Sequence, residues 1–168
     1  SWSVSPDQGT VGPIASIVGS SPDDLWAIGT SWQGVHPASS PHDTDSAFFE
    51  HWDGTRWTVV PGPALSERDV ALDDAAMVSS DDIWAVGHIG IWRKHAYFGY
   101  VEADTLTMHW DGTAWSVVAS PTRRPRFDNL AAVSATSPTN AFAVGGVEDR
   151  MVIKNLIETW DGTSWHFG

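Results

Sequence analysis

Apolar residues along this chain fall in short runs separated by Gly, Pro, Asp and Ser, and no segment sustains a helical period with caps at its ends. The pattern predicts short strands throughout. One set covers 14–19, 72–78 and 130–136, rich in small and apolar residues that suit a narrow inner position. A second set carries Leu25-Trp26-Ala27-Ile28-Gly29, Ile83-Trp84-Ala85-Val86-Gly87 and Ala141-Phe142-Ala143-Val144-Gly145. The third covers 48–52, 106–110 and 156–160. The fourth covers 57–60 and 115–118 and starts again at Trp165.

These sets are copies of one unit. Ser21-Pro22-Asp23-Asp24, Ser79-Ser80-Asp81-Asp82 and Ser137-Pro138-Thr139-Asn140 each precede the second strand at a spacing of 58 residues. Such a stretch is a turn, because Pro presets φ and Asp bonds to nearby backbone. Trp52-Asp53-Gly54-Thr55-Arg56-Trp57 returns as Trp110-Asp111-Gly112-Thr113-Ala114-Trp115 and Trp160-Asp161-Gly162-Thr163-Ser164-Trp165, the last interval being 50 residues. Asp-Gly between two Trp-bearing strands predicts a hairpin with a two-residue type I′ turn.

A four-stranded antiparallel unit with periodic Gly and aromatic residues predicts an all-β protein whose units are blades of a β-propeller, three in this chain. The blades are expected at 7–62, 63–121 and 122–168. Residues 1–6, with Ser1-Trp2-Ser3-Val4 resembling a fourth strand, are expected to complete a preceding or partner blade. Propellers close with roughly four to eight blades and three leave open edges. The expectation is therefore a segment of a longer array, or closure with a second copy into six blades.

Charge narrows the function. Nine Lys and Arg oppose 21 Asp and Glu, a formal net charge of −12, and such a surface repels nucleic acid and anionic membranes. The one basic cluster, Arg123-Arg124-Pro125-Arg126, falls in an inter-blade loop. The absence of cysteine excludes disulfides, thiolate catalysis and Cys-ligated zinc. No apolar run approaches the ~18 residues of a membrane span. High Trp, Gly, Pro and Ser with little Lys points to a secreted or extracytoplasmic bacterial protein.

The paired Trp-Asp-Gly-Thr-x-Trp and Ser-Pro-Asp-Asp-x-Trp-Ala-Val-Gly motifs resemble repeats of bacterial, chiefly actinobacterial, propeller-like proteins. More loosely, they are similar to Kelch and galactose-oxidase-type propellers and to tachylectin-like lectins. The resemblance spans nearly the whole chain and implies architecture rather than activity, since propellers host lectins, hydrolases, oxidases and scaffolds. Asp and Gly are adjacent here, unlike the sialidase Asp-box, so sialidase chemistry is not implied.

Repeated residues point to structural duties. Nine of the eleven Trp occupy repeat positions, where packing between neighbouring blades is expected, each indole N–H finding an acceptor. His51 and His109 share one repeat position and are expected to be structural. Function is expected where units differ, in the inserts between strands two and three at 30–47, 88–105 and 146–155. Trp32, His36, His42, Trp92, Arg93, His95, Tyr97 and Tyr100 in these inserts form a sugar-binding set: rings to stack on a pyranose, polar groups to bond its hydroxyls. The bland alternative is that Tyr97, Phe98 and Tyr100 anchor a long loop.

The leading expectation is a non-catalytic module recognising a glycan or other small polar ligand, with no cofactor. A protein-interaction or assembly scaffold is the alternative. A third reading is a metal-dependent enzyme in which His36, His42, His88 or His95, with Asp43, Asp45 or Glu102, hold zinc, copper or iron through N/O ligands. No Gly-x-Ser-x-Gly elbow or phosphate-binding glycine loop occurs. Propeller sites assembled from separate blades leave no local motif, so catalysis stays open.

Overall fold

The computed structural model describes residues 12–31, 45–65, 69–92, 100–122, 127–149 and 152–168. Twelve strands and no helix form among them. Unit one contributes β1 (Ile14–Ser21), β2 (Asp24–Ser31), β3 (Ser46–Trp52) and β4 (Trp57–Val59). Unit two contributes β5 (Asp69–Ser79), β6 (Asp82–Trp92), β7 (Tyr100–Trp110) and β8 (Trp115–Val118). Unit three contributes β9 (Phe127–Ser137), β10 (Asn140–Asp149), β11 (Val152–Trp160) and β12 (Trp165–Phe167). Each unit is an antiparallel meander in chain order, and a single parallel bridge, Ala103 to Phe127, joins the second to the third. All three predicted sets of four strands are present.

The two motifs recur together because they meet in space. Leu25 pairs with Trp52, Ile83 with Trp110 and Ala141 with Trp160, which sets each Asp-Gly-Thr turn against the turn between the first two strands of its unit. A Cβ on Gly112 would lie 2.8 Å from the Cβ of Asp81, and Gly112 also has φ 89°, so glycine is required twice over. Trp110 and Trp160 donate their indole N–H to the carbonyls of Ser80 and Pro138 at 3.2 and 3.0 Å.

The turn itself is longer than the predicted two-residue type. Trp52 pairs with Trp57, leaving four residues between them, and the same holds in the other units. The reason is the Asp side chain. One carboxylate oxygen of Asp111 accepts from Thr113 N, Thr113 Oγ1 and Ala114 N at 2.8, 2.6 and 2.9 Å. Asp53 and Asp161 repeat this set of bonds. The Thr113 hydroxyl bond and then the two backbone N–H bonds hold Asp111 down to about 2, and Asp53 likewise; Asp161 is lowered by the same pattern.

The core lies between units. Trp26 of unit one sits 4.7 Å from Trp110 and 5.8 Å from Trp115 of unit two, ring centroid to centroid, and Phe49 stacks on Trp115 at 4.1 Å. Trp84 of unit two repeats this against Trp160 and Trp165 at 4.8 and 5.1 Å. The expected packing between units is thus observed for Trp26, Trp84, Trp110, Trp115, Trp160 and Trp165; Trp52 and Trp57 contact each other within unit one, and Trp2 lies outside the described residues. The expected acceptor is not found for Trp26, Trp84, Trp115 and Trp165, whose buried indole N–H groups make no hydrogen bond. Their near edge-to-face contacts instead put ring edges against neighbouring π faces. His51 and His109 each place Nε2 2.8 Å from a carboxylate oxygen of Asp24 or Asp82, beside Trp26 and Trp84, as their structural reading required.

β1, β5 and β9 lie side by side, and Asp74 ties all three together. One oxygen accepts from Ser16 Oγ at 3.1 Å, and the other accepts from Val133 N at 3.0 Å. Residue 73 is the extra residue of a bulge in β5, which turns Asp74 toward both neighbours.

Candidate functional site

Much of the expected insert is sheet. In unit two the strands continue through Ile89↔Asp104 and Ile91↔Glu102 to Trp92↔Tyr100, leaving only 93–99 between them. In unit three they continue to Asp149↔Val152. The loops predicted at 88–105 and 146–155 are therefore largely extended hairpins. Backbone pairing satisfies N–H and C=O groups that a loop would leave to water.

The expected ligand-binding residues divide accordingly. Trp32, His36, His42, Arg93, His95 and Tyr97 lie outside the described residues. Trp92 and Tyr100 are backbone partners at the far end of the β6–β7 hairpin. His88 lies on β6, paired with Ala71 and Thr105, its Nδ1 3.5 Å from Asp73 Oδ2 and its ring 5.4 Å from Phe127. Among the described residues no group of three or more His, Cys, Asp or Glu comes together as a metal site would require.

Around His88, at the end of the units that carries these hairpins, polar links run from unit to unit. Asp45 N donates to Asp69 Oδ1 at 3.3 Å, and Val70 N donates to the Asp45 carbonyl at 3.1 Å, joining units one and two. Thr30 Oγ1 accepts from Leu72 N at 3.2 Å across the same boundary. Between units two and three, Thr105 Oγ1 lies 2.7 Å from Ser120 Oγ, which donates to Glu158 Oε2 at 2.7 Å. Glu158 and Asp128 are only 0% and 1% exposed. Burial pushes the Glu158 carboxyl up to about 7; the Asp128 charge adds to this and the Ser120 hydrogen bond opposes it. Asp24 goes the other way: burial would raise it, but hydrogen bonds from Ser20 and His51 leave it lowered.

Sequence reasoning missed Ser120, Asp128 and Glu158. A signal was present. Glu158 occupies the repeat position of Met108, and Asp128 that of Val70, so unit three places carboxylates where unit two places apolar side chains. Both are too enclosed to touch a substrate, and Glu158, through Ser120, serves the contact between units two and three. The carboxylates left at least part-exposed at this end are Asp73 on β5, half-buried Asp104 on β7 and, in unit three, half-buried Glu148 on β10. This rim is rich in hydrogen-bond acceptors.

No protein-family model and no curated protein matches the chain. Among solved structures it resembles YCF48 bound to D1 peptide, a β-propeller-type protein, with a TM-score of 0.58 at 14% identity over 95% of this chain. The chain spans 41% of that protein. A fucose lectin from Kordia zhangzhouensis in complex with methyl-fucoside matches with a TM-score of 0.47 at 13% identity, over 91% of this chain and 96% of that one. The likeness to YCF48 is a likeness of fold.

Proposed function

We propose that the three meanders are consecutive propeller blades and that the chain is a non-catalytic recognition module, binding a glycan or other small polar ligand at the end carrying the strand two–three hairpins. One observation carries this reading. The β6–β7 ladder pairs the backbones of Trp92 and Tyr100, at the end of the units where the part-exposed carboxylates of Asp73 and Asp104 also lie. Aromatic residues that can stack and carboxylates that accept hydrogen bonds from hydroxyls, at one end of the fold, are the residue types a polyol would use. The remaining aromatics and histidines of the same inserts, Trp32, His36, His42, Arg93, His95 and Tyr97, extend the surface in this reading.

The test is a titration of Trp fluorescence with a panel of mono- and oligosaccharides, on the natural chain and on Trp92→Ala. Saturable shifts lost in the variant support the proposal, and no response to any sugar overturns it. The second reading, a protein-interaction surface, is favoured by the exposed apolar side chains of Phe142, Val144, Ile153 and Ile157 in unit three. Because YCF48 shares the fold and its structure contains D1 peptide, acidic and basic peptides belong in the same titration.

A further inference from the structure

The two boundaries inside the chain share their tryptophan packing and differ at one set of repeat positions. Between units one and two these positions hold Ala47, Gly62, Val70 and Met108. Ala47, Val70 and Met108 belong to a single apolar cluster. Between units two and three the same positions hold Thr105, Ser120, Asp128 and Glu158. Every position without a polar group at the first boundary carries one at the second, so the difference is a matched set and not a lone substitution.

The polar set spans the boundary. Thr105 Oγ1 on β7 lies 2.7 Å from Ser120 Oγ, and Ser120, in the connection to unit three, donates to Glu158 Oε2 on β11 at 2.7 Å. Glu158 is wholly buried, and its second oxygen, Oε1, has no hydrogen-bond partner among the described residues. An ionised carboxylate offers about four acceptor sites and, away from water, is costly unless they are filled. The charged group that acts on Glu158 from β9 is Asp128, of its own sign. β10 and β12 set Ala143 and Phe167 beside it in the ladder. Lys154, four residues back on β11, is exposed, and Arg123, Arg124 and Arg126 of the connection lie outside the described residues. As a neutral acid Glu158 suits this enclosure. Ionised, it leaves one oxygen without a donor and confronts a second carboxylate.

We infer that the Thr105–Ser120–Glu158 chain, with Asp128 behind it, is a proton-operated clasp between units two and three. The clasp is closed while Glu158 holds its proton. Once Glu158 ionises, the boundary opens locally, Ser120 parts from β11 and water reaches the carboxylate. The boundary between units one and two has Met108 at this position, which cannot titrate, and it stays closed. The clasp goes beyond ligand recognition and does not depend on it.

Burial raises the Glu158 carboxyl, the Ser120 hydrogen bond opposes this and the Asp128 charge adds to it, with the outcome at about 7. The closed form is therefore favoured in full below the ordinary 4.5 and loses ground as pH climbs through about 7. If the opened carboxyl returns to 4.5, the opening constant rises roughly 50- to 100-fold between about pH 5 and about pH 8.

Four tryptophans report on the two boundaries separately. The indole N–H groups of Trp84 and Trp165 are buried at the second boundary and those of Trp26 and Trp115 at the first, none of them hydrogen-bonded. Burial alone therefore slows their exchange with deuterium. The experiment follows these four resonances by NMR at about pH 5 and about pH 8. Each rate is referred to that of free tryptophan at the same pH, with and without urea too dilute to unfold the protein. Trp84 and Trp165 are expected to lose protection roughly 50- to 100-fold at the higher pH, at rates indifferent to urea, as a local opening requires. Trp26 and Trp115 stay better protected. Glu158→Gln abolishes the pH dependence. So does the combination of Ser120→Gly, Asp128→Val and Glu158→Met, which installs the residues of the first boundary. Exchange of Trp84 and Trp165 that quickens with urea as steeply as unfolding overturns the inference, because the boundary then opens only with the whole chain. A pH dependence that survives in Glu158→Gln overturns it too, as does equal protection at both pH values.

Discussion

Glu158 offers the sharpest test of the packing between units. Its ordinary value of 4.5 rises to about 7 in the fold, so the folded protein holds the proton that the unfolded chain releases. The favourable contribution is complete below pH 4.5 and is lost as pH climbs through about 7. At ~1.4 kcal/mol per decade, full ionisation costs roughly 3 kcal/mol of stability, of which roughly 2–3 falls between about pH 5 and about pH 8. Glu158→Gln keeps the size of the side chain and cannot ionise. The variant is expected to match the natural protein closely at about pH 5 and to exceed it at about pH 8 by roughly 2–3 kcal/mol, or roughly 5–10 °C in melting temperature. Paired melts of the two proteins at both pH values isolate this carboxyl, since every other titrating group is common to both. A gap that stays the same at both pH values refutes the reasoning.

Three further outcomes follow from the same architecture. Trp84→Ala empties the space between His109, Trp160 and Trp165 and is expected to cost about 3–5 kcal/mol in a denaturant titration; an effect below about 1 kcal/mol would deny it a place in the core. Asp74→Ala removes the tie between Ser16 and Val133 and is expected to cost about 2 kcal/mol, more than Ser16→Ala, which leaves the bond to the Val133 backbone. Asp111→Ala is expected to lower the melting temperature at neutral pH. Because Asp111 sits at about 2 against an ordinary 3.8, the stability it contributes is present above 3.8 and lost as pH falls through about 2. The difference between variant and natural protein should therefore vanish in acid, and a difference that persists there would mean the turn is held by something else.

The repeat made most of the fold legible. Strand and turn positions are local properties, set by residue alternation and by Asp, Gly and Pro chemistry, and the same local signals occur in all three units. The packing role of Trp26 and Trp84 could also be read, because repetition of a large aromatic implies a repeated contact. Where strands two and three end was not legible. Ile89, Ile91, Glu102 and Asp104 read as an insert because they depart from the repeat, yet each pairs across the hairpin, and pairing depends on the partner strand rather than on either segment alone. The Asp-Gly turn was misjudged for a similar reason: three donors collected by one carboxylate outweigh the preference of the dipeptide.

The sites that join units lay further still from view. Glu158, Asp128 and Ser120 belong to different strands and connections, and nothing in their spacing announces that they meet. Asp74 bridges residues 58 and 59 positions away. Composition and repeat suffice for an acidic, tryptophan-rich, all-β chain of three like units, since each of those properties is a sum over local choices. Which carboxylates are buried, which tryptophan pair is covered and which aromatic is left facing water depend on what stands next to each unit, and that neighbour is supplied by folding.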